Sequence, residues 1–250
     1  MPRHRGSAKR GARAAHGTSP TETLDLLGRG AITVKGRLPC SSNVTLLVDV
    51  TLGDATALAV YKPERGERPL WDFPPALFTR EIAAYHLSEA LGWGLVPPTV
   101  RREGPFGDGS LQLFVHADFA QHYFTLREEA AHHDRLKRIC LFDLVANNAD
   151  RKSGHCLLAP DGAVYAVDNG LTFHAEPKLR TVIWDFGGEA ITPGMLDAVA
   201  RFVEVGIPES LAGLLDAAER EALLARARAV LADGRFPLDA SGRRYPWPLI

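Results

Sequence analysis

The sequence predicts an α+β chain of two lobes, a small antiparallel sheet with one helix followed by a mainly helical lobe. Three observations predict it. Residues 31–62 hold three strand-like, β-branched runs separated by short turns, the pattern of an antiparallel meander. A single helical stretch and two more short strands complete that half. The other half opens on a helix apolar on nearly every face and closes on a long helical region with one break. The 250 residues are 46% hydrophobic and 24% charged, which suits a globular chain and excludes a disordered or collagen-like one. No run approaches the ~18 apolar residues of a membrane-spanning helix.

The head is basic. Residues 1–20 carry Arg3, Arg5, Lys9, Arg10 and Arg13 and no acid, leaving 24 basic against 30 acidic residues in the rest. It lacks an apolar stretch, so it is not read as a secretory signal. Residues 1–22 are expected to form a disordered tail. The sharper alternative is binding of anionic lipid or nucleic acid by this head; of the two, weak peripheral membrane contact is retained and no nucleic-acid partner is expected. Cys40, Cys140 and Cys156 make no metal-ligand spacing. An odd count without a signal points to a reducing, cytoplasmic setting.

The first lobe is expected over residues 23–117. Its strands are Ile32 to Leu38, Val44 to Leu52 and Leu58 to Lys62, with turn chemistry at Pro39 to Asn43 and at Gly53-Asp54. Residues 63–75 read as a loop. Ala76 to Leu91 reads as a helix with Phe78, Ile82 and Tyr85 on one stripe, and Gly92 and Gly94 end it. Leu95 to Val100 and Leu111 to Val115 are two further strands. The second lobe, residues 118–250, starts with a helix over Glu128 to Asn147 whose ICLFDLVA centre is apolar except for Asp143. Strands His155 to Leu158 and Val164 to Val167 then flank an Asp161-Gly162 turn. Pro193 to Asp233 is helical, broken at Gly206-Ile207-Pro208.

The chemistry concentrates between Asn147 and Gly170. A hairpin pivoting at Asp161-Gly162 pairs residues whose numbers sum to about 323, which sets His155 opposite Asp168 with Asp150 just beyond the strand end. Two carboxylates and an imidazole at one rim need a cation or a substrate hydroxyl to balance them. Upstream, Glu81 lies on the apolar stripe of its helix, and an inward carboxylate needs a cation. Lys62, at the end of the third strand, supplies it.

Asp150 is followed five residues later by a metal-ligating side chain, then a hairpin, then Asp168-Asn169-Gly170, 18 residues on from Asp150. This order resembles the catalytic loop and metal-binding segment of the protein-kinase-like fold. The Asp150-Arg151 dipeptide and the Asp-Asn-Gly form look like the phosphatidylinositol 3- and 4-kinases, the type II 4-kinases in particular. The HipA-type bacterial kinases are similar, and the chain most resembles a small bacterial branch of phosphatidylinositol 3- and 4-kinase-like proteins. By motif order the resemblance covers residues 24–190.

The resemblance implies an ATP-dependent phosphotransferase using Mg²⁺ or Mn²⁺, with a lipid head group or a protein hydroxyl as acceptor. Asp150 would orient or deprotonate that hydroxyl, Asp168 and His155 would hold metal, and Lys62, steadied by Glu81, would fix the phosphates. Ser41, Ser42 and Asn43 occupy the phosphate-covering turn, and Phe114 and Val115 the hinge that contacts adenine. Lys178 and Arg180, in the segment after Asp168, could meet an anionic head group. Arg151 is expected to brace the loop. His155 stands where most of the family has Asn, and imidazole suits Mg²⁺ poorly. A nucleotide-binding pseudokinase and a kinase-fold nucleotidyl transferase are the alternatives.

Overall fold

The computed structural model describes residues 19–39 and 43–250. Chain order runs α1 (Pro20–Arg29), β1 (Ala31–Arg37), β2 (Leu46–Leu52), β3 (Ala55–Pro63), α2 (Phe78–Ala90), β4 (Thr99–Gly104) and β5 (Gly107–Leu113) through the first lobe. The second lobe holds α3 (Tyr123–Leu126), α4 (Ala130–Ala146), β6 (Cys156–Leu158), β7 (Val164–Ala166), α5 (Pro193–Val205), α6 (Glu209–Ala212) and α7 (Ala217–Asp233). Among the described residues no helix is long and apolar enough to cross a membrane.

The five long strands form one antiparallel sheet in the order β1-β2-β3-β5-β4. Its period of two decides which residues face the site. Ala57, Ala59 and Tyr61 of β3 point to one face, where they join Val48, Val50 and Leu111 beneath Leu26 and Leu27 of α1. Lys62 therefore points the other way, toward α2. Gly109 of β5 lies across from the end of β3, and a Cβ there would strike the Lys62 carbonyl oxygen. Only glycine allows β5 to come this close to the Lys62 backbone.

The meander agrees with the sequence pattern, but the elements around it need three corrections. The first lobe carries two helices rather than one. Helix α1 starts at Pro20, so residues 20–22 belong to it and not to a disordered tail. Ser19 and Glu22 form a reciprocal capping box, and Arg102 of β4 donates to the carbonyls of Leu27 and Gly30 at its other end. The strand expected over Leu95 to Val100 begins only at Thr99. Pro97 and Pro98 have no N–H to give a ladder, although the Pro98 carbonyl still accepts from Leu113.

The large core of the second lobe is centred on α4, with Ile139, Leu141, Phe142, Val145 and Ala146 all inaccessible, and α7 and α5 packed around it. Cys140 and Cys156 lie in this core as free thiols. Burial pushes the Cys156 thiol up to about 12, so it packs as an apolar side chain. The hairpin β6–β7 pairs Cys156 with Ala166, a register sum of 322. His155 thus aligns with Val167 and sits one residue from Asp168. The final segment returns to the site: Leu249 accepts from the Ser153 backbone at 2.8 Å and Arg244 from Thr181 at 3.0 Å.

The lobes are joined through α2. Buried Arg80 donates to the Thr172 carbonyl at 2.6 Å and pairs with Glu219 of α7. A buried cation with two acceptors is costly to break from one side only. Arg80→Met should lower unfolding stability by about 3–5 kcal/mol in urea titrations, and adding Glu219→Leu should recover part of that loss.

Candidate active site

Lys62, Glu81 and Asp168 come from three separate elements and meet in one place. The Lys62 ammonium pairs with Glu81 Oε1 and lies 2.7 Å from Asp168 Oδ1. Burial works against its charge, but the two carboxylates outweigh burial and hold Lys62 above the ordinary lysine range. Lys62 in turn holds Asp168 well below the usual carboxylate range, and His155 adds to this. Glu81 is itself buried, and its Oε2 accepts the Asn169 backbone N–H at 2.9 Å. One carboxylate therefore grips both the β3 lysine and the chain beside Asp168. Asp168 has left-handed backbone (φ 57°), which Asp tolerates better than most residues.

His155 completes the cluster, with Nε2 3.3 Å from Asp168 Oδ2. Its Nδ1 accepts the Lys152 backbone N–H at 3.3 Å. That pattern assigns the ring proton to Nε2, aimed at Asp168. Burial lowers the imidazole pKa to about 4 against the opposing pull of Asp168, so the ring is neutral at physiological pH. Asp150 lies on the same loop, paired with Lys152 at 3.2 Å. Burial raises its carboxyl pKa, Lys152 opposes this, and Asp168 adds to the rise. That environment suits a group that accepts a proton.

Beneath these groups lies a polar network that the sequence only hinted at. Arg151 is fully buried, forks onto both oxygens of Asp143 at 2.9 Å, and donates to Asn169 Oδ1 at 2.6 Å and the Val167 carbonyl at 2.7 Å. Asn148 also donates to Asp143, at 3.0 Å. Arg151 thus ties α4, the loop carrying Asp150 and the segment carrying Asp168 into one unit. Its bracing position agrees with the sequence reading, whereas Asp143, visible only as a break in an apolar helix, received no role. Asn147 was missed as well. Its left-handed backbone (φ 56°) ends α4, and its side chain donates to the carbonyls of His174 (2.8 Å) and Glu176 (2.7 Å) and accepts from the Lys178 N–H (2.9 Å).

The remaining candidates are spread around this centre. Ser41 and Ser42 lie outside the described residues. Asn43 Oδ1 accepts the Arg68 backbone N–H at 2.9 Å, which ties the strand turn to the loop ahead of α2. Phe114 and Val115 follow β5 directly. The Phe114 N–H bonds to Leu58 of β3 at 3.0 Å, on the strand pair that carries Lys62. Lys178 is engaged by Asp72 at 3.3 Å and Glu176 at 4.0 Å, while Arg180 is exposed.

The imidazole makes metal-free stability pH-dependent. The unfolded ring takes up its proton near 6.5 and the folded ring only near 4, so the contribution is complete above 6.5 and lost as pH falls toward 4. Urea midpoints measured in chelator should fall across that window by an amount equivalent to about 3 kcal/mol at most, and His155→Asn should flatten the slope.

No protein-family model matches the chain. Among solved structures, the Golgi casein kinase determined with Mn and ADP bound superposes with a TM-score of 0.59 at 16% identity, over 92% of this chain and 80% of that one. Hydra Fam20, determined with sugar, superposes with a TM-score of 0.51 at 14% identity, over 89% of this chain and 91% of that one. These likenesses establish an atypical protein-kinase-like fold. In sequence, the Mycobacterium tuberculosis protein Rv2133c is 42% identical over 260 aligned residues, covering 89% of this chain and 94% of the relative. With near-full coverage of both chains at that identity, this chain belongs to the Rv2133c family.

Proposed function

We propose that the chain is an ATP-dependent phosphotransferase that carries the γ-phosphate to a hydroxyl acceptor. The observation that carries this reading is Lys62 held between Glu81 and Asp168. A lysine so held is a fixed cation for the phosphates, and phosphoryl transfer depends mainly on positioning and charge neutralisation. Asp150, with its raised pKa, orients the acceptor hydroxyl and takes its proton. Arg151 keeps Asp150 and Asp168 in fixed relation. Phe114 and Val115 border the adenine, and Asn43, in the turn after β1, lies on the phosphate side. The Asp-Arg and Asp-Asn-Gly motifs support kinship with the phosphatidylinositol 3- and 4-kinases, hence a lipid head group or a protein side chain as acceptor.

The donor set fits a divalent ion shared with nucleotide. Among the described residues no group of three or more His, Cys, Asp and Glu could hold a metal alone. Asp168 offers hard carboxylate oxygen, and the remaining positions fall to phosphate and water, as Mg²⁺ and Mn²⁺ accept. When bound, the ion neutralises charge on the transferring phosphate. The Mn and ADP in the Golgi casein kinase support this assignment. His155 serves as a ligand only if its Nε2 proton moves, so Asp168 is the principal donor. That same proton, directed at Asp168, is the observation favouring the second reading, a nucleotide-binding pseudokinase.

Purified protein with γ-labelled or α-labelled ATP, Mg²⁺ or Mn²⁺ and a lipid and protein panel separates these readings. Asp150→Asn should cut transfer by about 100-fold or more with ATP affinity nearly unchanged. Lys62→Met should weaken both. Nucleotide binding without transfer supports the pseudokinase, transfer of α-label indicates a nucleotidyl transferase, and absence of nucleotide binding overturns all three.

A further inference from the structure

The segment from Asp239 to Ile250 meets both stretches of backbone that hold the site. Downstream of Asp168, residues 180–182 run beside Arg151. The Arg151 N–H donates to the Arg180 carbonyl at 3.0 Å, and the Val182 N–H donates to the Arg151 carbonyl at 3.0 Å. Thr181 between them faces the other way, as alternate residues of an extended chain do, and its N–H donates to the Arg244 carbonyl at 3.0 Å. The Trp184 indole N–H reaches the same carbonyl at 3.4 Å. Further along, the Leu249 carbonyl accepts the N–H of Ser153, which lies between Asp150 and His155, at 2.8 Å. Residues 244–249 therefore span from the segment after Asp168 to the loop of Asp150.

Ser153 and Thr181 are both buried, so neither N–H has water to turn to, and these two carbonyls are what satisfies them. The Ser153 hydroxyl is buried without a hydrogen-bond partner among the described residues, which leaves backbone bonds to hold this turn. The spanning segment is itself lightly attached. Pro246 is buried and Leu249 packs against the large core, but Tyr245, Trp247 and Ile250 are exposed, Trp247 at 86%. Asp239 folds the approach to it. Its Oδ2 accepts the Arg244 N–H at 3.0 Å, and its Oδ1 accepts the Ser241 hydroxyl at 2.6 Å. A segment with few buried apolar contacts opens more readily than the core beneath it.

We propose that residues 244–249 are a detachable strap, and that Leu249 is a positioning residue acting on phosphoryl transfer through the Asp150 loop. The proposal rests on the phosphotransferase reading and adds how the loop of that site is held. Closed, the strap fixes Ser153 relative to Thr181, and with them Asp150 relative to the segment after Asp168. Open, it leaves two buried N–H groups without acceptors, and the loop shifts to satisfy them elsewhere. Lys62, Glu81 and Asp168 keep their own bonds. Nucleotide binding therefore survives, while the acceptor hydroxyl loses its alignment with the phosphate.

Amide hydrogen exchange followed by NMR on the full chain tests the strap without requiring turnover. Leu249→Asp removes its apolar anchor, Leu249→Met keeps it, and Asp239→Ala loosens the approach without touching the core. In Leu249→Asp and Asp239→Ala, the Ser153 and Thr181 amides should exchange about tenfold faster or more, while Leu141 and Phe142 of α4 exchange as in the parent. The Trp184 indole signal should shift with them, since its acceptor moves. Turnover at saturating ATP should fall about tenfold or more with KM for ATP within about twofold, and Leu249→Met should behave as the parent. The proposal is overturned if Ser153 and Thr181 stay protected in both variants, if α4 loosens equally in both, or if the strap opens and turnover is unchanged. Absence of transfer in the parent chain would instead remove the phosphotransferase reading. Selective exchange at Ser153 and Thr181 would then still support the strap, and their continued protection would still overturn it.

Discussion

The Glu81 carboxylate is shared between a cation and a backbone N–H, and the geometry of the site follows from that sharing. One oxygen takes the Lys62 ammonium from the sheet, and the other takes the Asn169 N–H from the second lobe. A carboxylate buried on α2 is unfavourable without partners, so both bonds are needed to offset its lost hydration. Satisfying Glu81 therefore fixes the distance between β3, α2 and the Asp168 segment. The first turn of α2 reinforces this. Glu67 receives its first N–H groups, and Arg80 joins it to α7 and to Thr172.

Below the cleft, Arg151 does for the loops what Glu81 does for the lobes. A guanidinium has five donors in a rigid fork, and four acceptor oxygens from α4 and the Asp168 segment surround this one. Burial would drive the charge off Arg151, and Asp143 facing it raises its pKa above the ordinary value instead. Such a buried pair is weak evidence of net stability, but it is directional. It sets how the Asp150 loop and the Asp168 segment stack. Asn147 extends the same logic outward, turning the chain with left-handed backbone and then fixing the segment from His174 to Lys178.

Much of this was legible in residue order. The meander follows from β-branched alternation, since Ala57, Ala59 and Tyr61 must share a face and Lys62 must oppose it. The hairpin follows from Asp161-Gly162, which brings His155 to Asp168 within one residue of register. Glu81 on an apolar stripe announced a buried charge seeking a cation. Helix α1 was less visible because its capping Ser19 and Glu22 adjoin a basic head that masks the pattern. The strand near Leu95 was overread because its apolar residues precede two prolines that cannot donate.

What the sequence by itself determined is local: which runs become strands or helices, which face each side chain takes, and which charged residues lack a partner nearby in the chain. Periodicity and turn chemistry depend on neighbours a few residues apart, so they can be read along one line. The tertiary structure alone decided the long-range pairings, Arg151 with Asp143 and Asn169, Glu81 with the Asn169 backbone, and Arg80 with Glu219. Each depends on how separate elements pack. A charge in a sequence shows that a partner is required, and only the fold shows which group, at what distance, supplies it.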